Sequence, residues 1–225
     1  MKTSRTKIVY NYLYEQIVSY KLKPGDPIIE QDVSSLLGCS RTPVREAIRI
    51  LTAEGLVRNI PARGAYVLEI SLQDIEEIFS LRKMLELGAL KEGLLRISDE
   101  EIQNVEAMLA GLDQHSEFDA FFKSDRLLHD MIVRNSGNKR LMKFLGMINA
   151  QVERVRRISA LRPQRLLNSK KEHLEIIEAI KARNLERASK FLDEHIENVK
   201  LSCFDVLRTL PHQEIERSYT HEVNV

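Results

Sequence analysis

The feature that most constrains the fold of this chain is a change in hydrophobic period after Glu54 and a second change after Ile70. Apolar residues recur at three- and four-residue steps as far as Glu54, alternate with polar residues through 56–70, and then return to helical spacing. Three- and four-residue steps are typical of amphipathic helices, and alternation is typical of strands. The pattern therefore predicts a mainly α fold, in which a small helical unit closed by a β-hairpin precedes an all-α bundle of about six helices.

The same pattern predicts the domain organisation and excludes several classes of protein. We expect one domain over 1–70, a second over 71–210 and a flexible tail over 211–225. With 43% hydrophobic and 30% charged residues the chain can bury a core, and its apolar runs fall short of the roughly 20 residues that a membrane span needs. Cys39 and Cys203 are too few for a disulfide framework. These observations predict a cytoplasmic protein with no membrane partner.

The charges of the chain are unevenly distributed, although the formal net charge is only +1. Residues 1–69 carry ten Lys and Arg against seven Asp and Glu, whereas the remainder carries a small acidic excess. Within the helix predicted over 41–54, Arg41, Arg45 and Arg49 recur every four residues and form a row on the face opposite the apolar stripe. Such a row is either an ordinary solvated face or a surface that meets a polyanion.

The order of elements favours the polyanion. A short helix over 31–37, a tight turn and the arginine-bearing helix are followed by a hairpin with Arg63 and Gly64 at its tip. Two helices joined by a tight turn and followed by a hairpin are typical of a winged helix-turn-helix, whose second helix enters the major groove of DNA. We therefore predict double-stranded DNA as a partner.

The residues from Ser40 to Leu56, with Pro24-Gly25 upstream and Arg63-Gly64 in the wing, resemble the GntR family of bacterial transcriptional regulators. The resemblance implies that the recognition helix reads base edges and phosphates and that the wing enters the minor groove. The DNA-contacting residues that it implies are Gln31, Ser40, Arg41, Thr42, Arg45, Arg49, Arg63 and Gly64.

Polar residues interrupt the apolar stripes of three helices predicted in the second domain. Asp125 and His129 lie one turn apart on one of them, while His173 and His195 lie on the inward faces of two others. Each histidine alone is more often a hydrogen-bonded core residue. Three imidazoles and one carboxylate that converge would instead match the ligands of a divalent metal, with positions left open for water or a ligand.

The segments Phe121–His129, Ser136–Asn138 and Glu172–Ile180, with Ala188 and His195, resemble the FCD effector domain of FadR-like GntR regulators. The resemblance implies one divalent metal per chain, with zinc as the first choice and nickel, manganese or cobalt as alternatives. It also implies a small carboxylate effector. The residues it assigns to the metal are Asp125, His129, His173 and His195, and the residue it assigns to the effector pocket is Arg82. Weaker candidates for the effector pocket are Arg134, Asn138 and Arg154, for which a solvent-facing position is the alternative. Arg82 has two possible anionic partners, Glu86 and the effector.

These inferences together predict a metabolite-responsive repressor that acts as a homodimer on a palindromic operator and is not an enzyme. One alternative is a metal-dependent enzyme acting on small organic acids, with an attached DNA-binding domain. Another is a constitutive DNA binder in which the metal only stabilises the fold.

Overall fold

A computed structural model describes residues 4–113 and 115–209, and the tail predicted over 211–225 lies outside the described residues. Three helices and a small sheet are followed by six further helices over the described part of the chain. The prediction of a mainly α protein with an N-terminal winged helix-turn-helix and a helical bundle is confirmed. No helix among the described residues is long and apolar enough to cross a bilayer.

The N-terminal unit builds the winged helix-turn-helix from helices and short strands. Its elements are α1 (Arg5–Val18), β1 (Pro27–Ile28), α2 (Glu30–Leu36), α3 (Arg41–Ala53), β2 (Val57–Ile60) and β3 (Gly64–Val67). The strand β3 lies in the middle of the sheet and pairs antiparallel with both β1 and β2. Sequence periodicity did not indicate β1, because two residues are too short to show alternation.

The recognition helix α3 forms as its sequence dictates. Val44, Ala47, Ile48 and Leu51 are buried on one face, whereas the three arginines are exposed on the other. Gly55 ends the helix with φ +71°, a conformation that glycine adopts without strain, and Leu56 N then donates to the carbonyl of Leu51.

The bundle begins where the hairpin ends, and serine caps open its first two helices. Ser71 and Asp74 form a capping box at the start of α4, and Ser98 and Glu101 form a second at the start of α5. The helices are α4 (Leu72–Gly93), α5 (Asp99–Ala110), α6 (Phe118–Asn135), α7 (Lys139–Ser159), α8 (Pro163–Lys181) and α9 (Leu185–Thr209), with a 3₁₀ turn at Leu94–Arg96 after α4.

Helix α7 connects the two units. Ala150 packs into the core of the DNA-binding unit. The Gln151 side-chain amide donates to the Glu54 carbonyl at the end of α3, 2.9 Å away. Arg154 is fully buried, donates from Nη1 to the Leu68 carbonyl at 2.6 Å, and has its guanidinium 5.5 Å from the centre of the Tyr20 ring. One face of α7 therefore holds the end of the recognition helix and the end of the wing.

Candidate metal centre and nucleic-acid interface

Three helices bring four ionisable side chains together inside the bundle. Asp125 and His129 come from α6, His173 from α8 and His195 from α9, and all four side chains are buried. Each offers one ligand atom, and these four atoms lie within 4.8 Å of one another. We call these four residues the histidine cluster.

The ligand atoms of the histidine cluster point at a common centre. Asp125 Oδ1 lies 3.4 Å from Nε2 of His173 and 3.9 Å from Nε2 of His195, and those two nitrogens are 3.3 Å apart. His129 Nε2 lies 3.6 Å from Asp125 Oδ2. Ligand atoms about 2.1 Å from a shared metal are separated by roughly 3 to 3.5 Å, so the spacing fits a divalent ion.

Two carboxylates hold the outer nitrogens of these rings. Glu86 Oε2 lies 2.5 Å from Nδ1 of His129, and Glu172 Oε2 lies 2.8 Å from Nδ1 of His195. When a carboxylate accepts the Nδ1 proton, deprotonation of the ring leaves a lone pair on Nε2, the atom that faces the centre. Carboxylate partners of this kind orient metal-binding histidines and raise their basicity.

Charge and burial favour the ligating protonation state at three residues of the histidine cluster. Burial lowers the pKa of His173 and holds the pKa of His195 well below its ordinary value, so both rings are neutral near pH 7. Burial opposes ionisation of Asp125, but the neighbouring Arg156 and His129 hold its pKa well below the usual range. Neutral imidazoles and an ionised carboxylate are the ligating forms.

Unpartnered atoms supply a second test of the fit. His129 Nε2 and Asp125 Oδ2 are buried and make no hydrogen bond within the described structure, although Asp125 Oδ2 lies in an ion pair with Arg156. Buried polar atoms of this kind are ordinarily satisfied. The donor set, its spacing and the unpartnered Nε2 of His129 fit a divalent metal better than a closed hydrogen-bond network.

Arg82 lies beside the histidine cluster, and Glu86 takes only part of its hydrogen-bonding capacity. Its Nε donates to Glu86 Oε1 at 2.6 Å, whereas its buried Nη1 has no partner in the described structure. Burial would raise the pKa of Glu86, but Arg82 and His129 lower it to about 2, so the carboxyl stays ionised. Arg82, Glu86, His129 and Arg156 share the lining of one small cavity. Glu86 is therefore one of the two anionic partners that the sequence suggests for Arg82. The second, the effector, is the group that Nη1 could bind.

Arg156 is a residue that sequence reasoning missed. It is 8% exposed on α7, and its Nη2 lies 2.5 Å from Asp125 Oδ2. Its position could have identified it, because Arg156 lies on the buried stripe of α7 at helical spacing from Val152 and Ser159. The role of Glu86 as partner of His129 was also missed, because contacts between helices do not follow from spacing along one helix.

The weaker candidates for the effector pocket lie elsewhere. Arg134 is exposed near the end of α6, where its Nε donates to the Asp130 carbonyl at 3.3 Å. Asn138 caps α7, with its side-chain oxygen accepting from Leu141 N at 3.1 Å. Neither residue lines the two small cavities that flank the histidine cluster.

The predicted DNA-contacting residues lie together on an exposed surface. Arg41 donates from Nε to Gln31 Oε1 at 3.0 Å, Arg45 pairs with Glu30 at 2.8 Å, and Arg49 pairs with Glu46 at 2.7 Å. The pairing of Arg49 with Glu46 is the alternative that an ordinary solvated face predicts. Exposed pairs of this kind contribute about 0 to 1 kcal/mol, so phosphate can replace the carboxylate partners.

The ends of this surface are also accessible. Ser40 occupies the N-cap position of α3 without a side-chain capping bond, and Thr42 is exposed beside it. Arg63 lies at the exposed hairpin tip, and Gly64 follows with φ +96°. No side chain at Gly64 keeps the backbone away from an approaching groove.

Two family comparisons cover most of the chain. Residues 77–198 match the FCD domain, and residues 5–67 match the bacterial regulatory proteins of the gntR family. Among curated proteins, the chain is 26% identical over 201 residues to the HTH-type transcriptional repressor RspR of Escherichia coli K12, covering 86% of each chain.

The solved structures that are similar to this fold include the following two. McbR/YncC of E. coli aligns with a TM-score of 0.77 at 23% identity, over 90% of this chain and 98% of that one. The Zn²⁺-bound FCD domain of TM0439, a putative transcriptional regulator, aligns with a TM-score of 0.57 at 26% identity, over 63% of this chain and 99% of that one.

Proposed function

Because this chain belongs to the FCD-domain family of gntR-type bacterial regulatory proteins, we propose that it is a metabolite-responsive transcriptional repressor. In this proposal, its affinity for a palindromic operator changes when a small carboxylate binds at the histidine cluster. The observation that carries the proposal is the presence on one chain of an exposed arginine helix and a buried centre, both in contact with α7. The choice of repressor follows the name of the E. coli relative RspR.

The DNA-binding regulator is not an enzyme, since its family and its named relatives are transcriptional regulators. The alternative of a metal-dependent enzyme with a DNA-binding appendage is therefore set aside. We place the protein in the bacterial cytoplasm, where its operator lies.

The histidine cluster is our proposed metal site, and zinc is the first choice because a related FCD domain has a Zn²⁺-bound structure. Nickel, manganese and cobalt are alternatives, since imidazole and carboxylate ligands accept each of them. A divalent ion bound there would supply a fixed positive charge that attracts the carboxylate. The unpartnered Nη1 of Arg82 is buried beside His129 and would donate to the same carboxylate.

Helix α7 is the element that we propose carries the response. Arg156 contacts Asp125 on the side facing the centre, while Arg154 and Gln151 hold carbonyls of the DNA-binding unit. A ligand that draws Asp125 away from Arg156 favours a different position of α7. Coupling then arises because the ligand has unequal affinity for the two arrangements.

An exposed apolar surface on α4 and α7 supports the homodimer. Leu81 and Met84 on α4 and Phe144 and Met147 on α7 are between 37% and 63% exposed. The two helices are neighbours, with Leu141 Cδ1 3.9 Å from the place of a Cβ on Gly88. Exposed apolar patches of this kind mark interfaces, and a second copy would supply the second recognition helix for a palindrome.

The test measures operator affinity of the zinc-loaded protein with and without small carboxylic acids. The operator is first isolated by selection from fragmented genomic DNA, and affinity is then followed by fluorescence anisotropy. We expect at least one acid to shift the operator Kd by roughly tenfold, a typical allosteric coupling. His173→Ala should abolish the shift, and His115→Ala, which alters an exposed histidine outside the cluster, should retain it. An operator Kd unmoved by every acid contradicts the proposal.

A further inference from the structure

A second cavity flanks the histidine cluster on the side of α8. Asp125 and His173 form its boundary with the cluster, and its remaining lining includes three cationic side chains, Arg156, Arg165 and Lys170. Ser159 and Ser169 add hydroxyl groups. We call this space the α8 cavity.

The cations of the α8 cavity are held mainly by carboxylates that also serve the metal centre and by the backbone. Arg156 pairs with Asp125 and, at 3.9 Å, with Glu153. Arg165 donates to the Ser169 hydroxyl and forms an ion pair with Glu172, the carboxylate that also binds Nδ1 of His195. Lys170 Nζ donates to the Leu112 carbonyl at 2.5 Å. Both arginines are 8% exposed.

This arrangement leaves the cavity short of negative charge once the centre is loaded. A ligating Asp125 would share its charge with the ion. Among the described residues, Arg156 would then keep only Glu153, whose Oε2 lies 3.9 Å from its Nη1 and which also pairs with Arg126 and Arg157. Glu172 is shared between Arg165 and His195, and Lys170 faces only a neutral carbonyl in the contacts described. Buried cations require anionic partners, which favours an additional anion at this place.

We infer that the effector is a small acid with two anionic groups, and that its second group binds Arg165, Lys170 and the released Arg156 in the α8 cavity. This inference rests on the proposed function, in which the first carboxylate binds at the centre. The space open to water in the cavity is only about 20 Å³, enough for one water molecule. The second anion therefore enters by displacing the arginine side chains from Asp125 and Glu172, which makes binding depend on exchange of ion pairs.

The test compares acids that differ only in the second anionic group. The pairs are malate with 2-hydroxybutyrate, succinate with butyrate, and glucarate with gluconate. Binding to the full-length zinc-loaded protein is measured by isothermal titration calorimetry and by the shift of the thermal midpoint. We expect the diacid to bind at least roughly tenfold more tightly in one pair, because a site built for a charged group rejects the analogue that lacks it.

Variants locate the second group. Arg165→Gln and Lys170→Gln should each reduce the diacid preference at least roughly fivefold and leave monoacid affinity nearly unchanged. Lys171→Gln, which alters the exposed neighbouring lysine, should keep the preference. Since Arg165 contacts Glu172, the visible absorption spectrum of the cobalt-loaded variant reports whether the metal ligands remain in place. Lys170→Gln tests the same cavity without touching that carboxylate.

The outcomes separate the two proposals. If monoacids bind as tightly as diacids in every pair, the inference is overturned while the proposed function stands. If a diacid preference exists but survives both Arg165→Gln and Lys170→Gln, the assignment to the α8 cavity is wrong. If no acid of either kind binds, the proposed function itself loses its support.

Discussion

Replacing Arg154 with methionine should separate the unfolding of the DNA-binding unit from that of the bundle. Arg154 is fully buried on α7 and donates to the Leu68 carbonyl at 2.6 Å, with its guanidinium 5.5 Å from the Tyr20 ring centre. A charged hydrogen bond contributes about 1.5 to 3 kcal/mol, and a desolvated cation–π contact about 1 to 2 kcal/mol. Removing the buried charge offsets part of this loss, so the net cost should be about 2 to 3 kcal/mol.

The free energy lost in this variant weakens the contact between the two units. Differential scanning calorimetry can detect the loss as separate melting of the two units. One kcal/mol shifts the thermal midpoint of a domain of 60 to 100 residues by about 4 to 8 °C. In Arg154→Met the DNA-binding unit should therefore melt about 10 °C or more below the bundle, whereas the native protein should melt in one transition. Arg140→Met, on an exposed position of the same helix, is the matched control. A single transition in Arg154→Met, within about 2 °C of the native midpoint, would refute this account of domain contact.

Three further predictions follow from other parts of the structure. Arg45→Ala should reduce the slope of log operator affinity against log salt by about 2 for a dimer, because each lost phosphate contact accounts for about 0.9; an unchanged slope would remove this arginine from the DNA contacts. Glu86→Gln should weaken metal affinity about 10- to 100-fold in a chelator competition, because the carboxylate orients a ligating ring, whereas the exposed Glu77→Gln should have no effect. Gly55→Ala should lower the free energy of unfolding in urea by about 1 to 2 kcal/mol more than Gly38→Ala. Both glycines have positive φ, but a Cβ at 55 would lie 2.5 Å from the side-chain nitrogen of the α7 glutamine that bonds the end of α3, whereas a Cβ at 38 meets nothing within 4 Å. Equal losses in the two glycine variants would contradict the interpretation of that contact.

Patterns within a single helix made much of the fold predictable. The four-residue repeat of Arg41, Arg45 and Arg49 identified the outward face of α3, and the serines at 71 and 98 identified helix starts. The inward direction of the three histidine side chains was predictable in the same way, because spacing along a helix determines the face on which a residue lies.

Contacts between helices were not predictable in this way. Nothing in the spacing of α7 indicates that Arg156 meets Asp125 of α6, or that Glu86 of α4 meets His129. Such contacts depend on the crossing of packed helices, which the sequence pattern leaves open. Asn138 illustrates the converse, since this weaker candidate for the effector pocket has a local role as the cap of α7.

The bonds by which α7 holds the DNA-binding unit have a consequence for how such a regulator diversifies. Gln151 and Arg154 both donate to main-chain carbonyls, at Glu54 and Leu68. Main-chain carbonyls are present whatever residues occupy those positions. The exposed side chains of α3 are therefore under little constraint from this attachment. Point substitutions there can change which operator is bound, while the hydrogen bonds that join the bundle to the DNA-binding unit are retained.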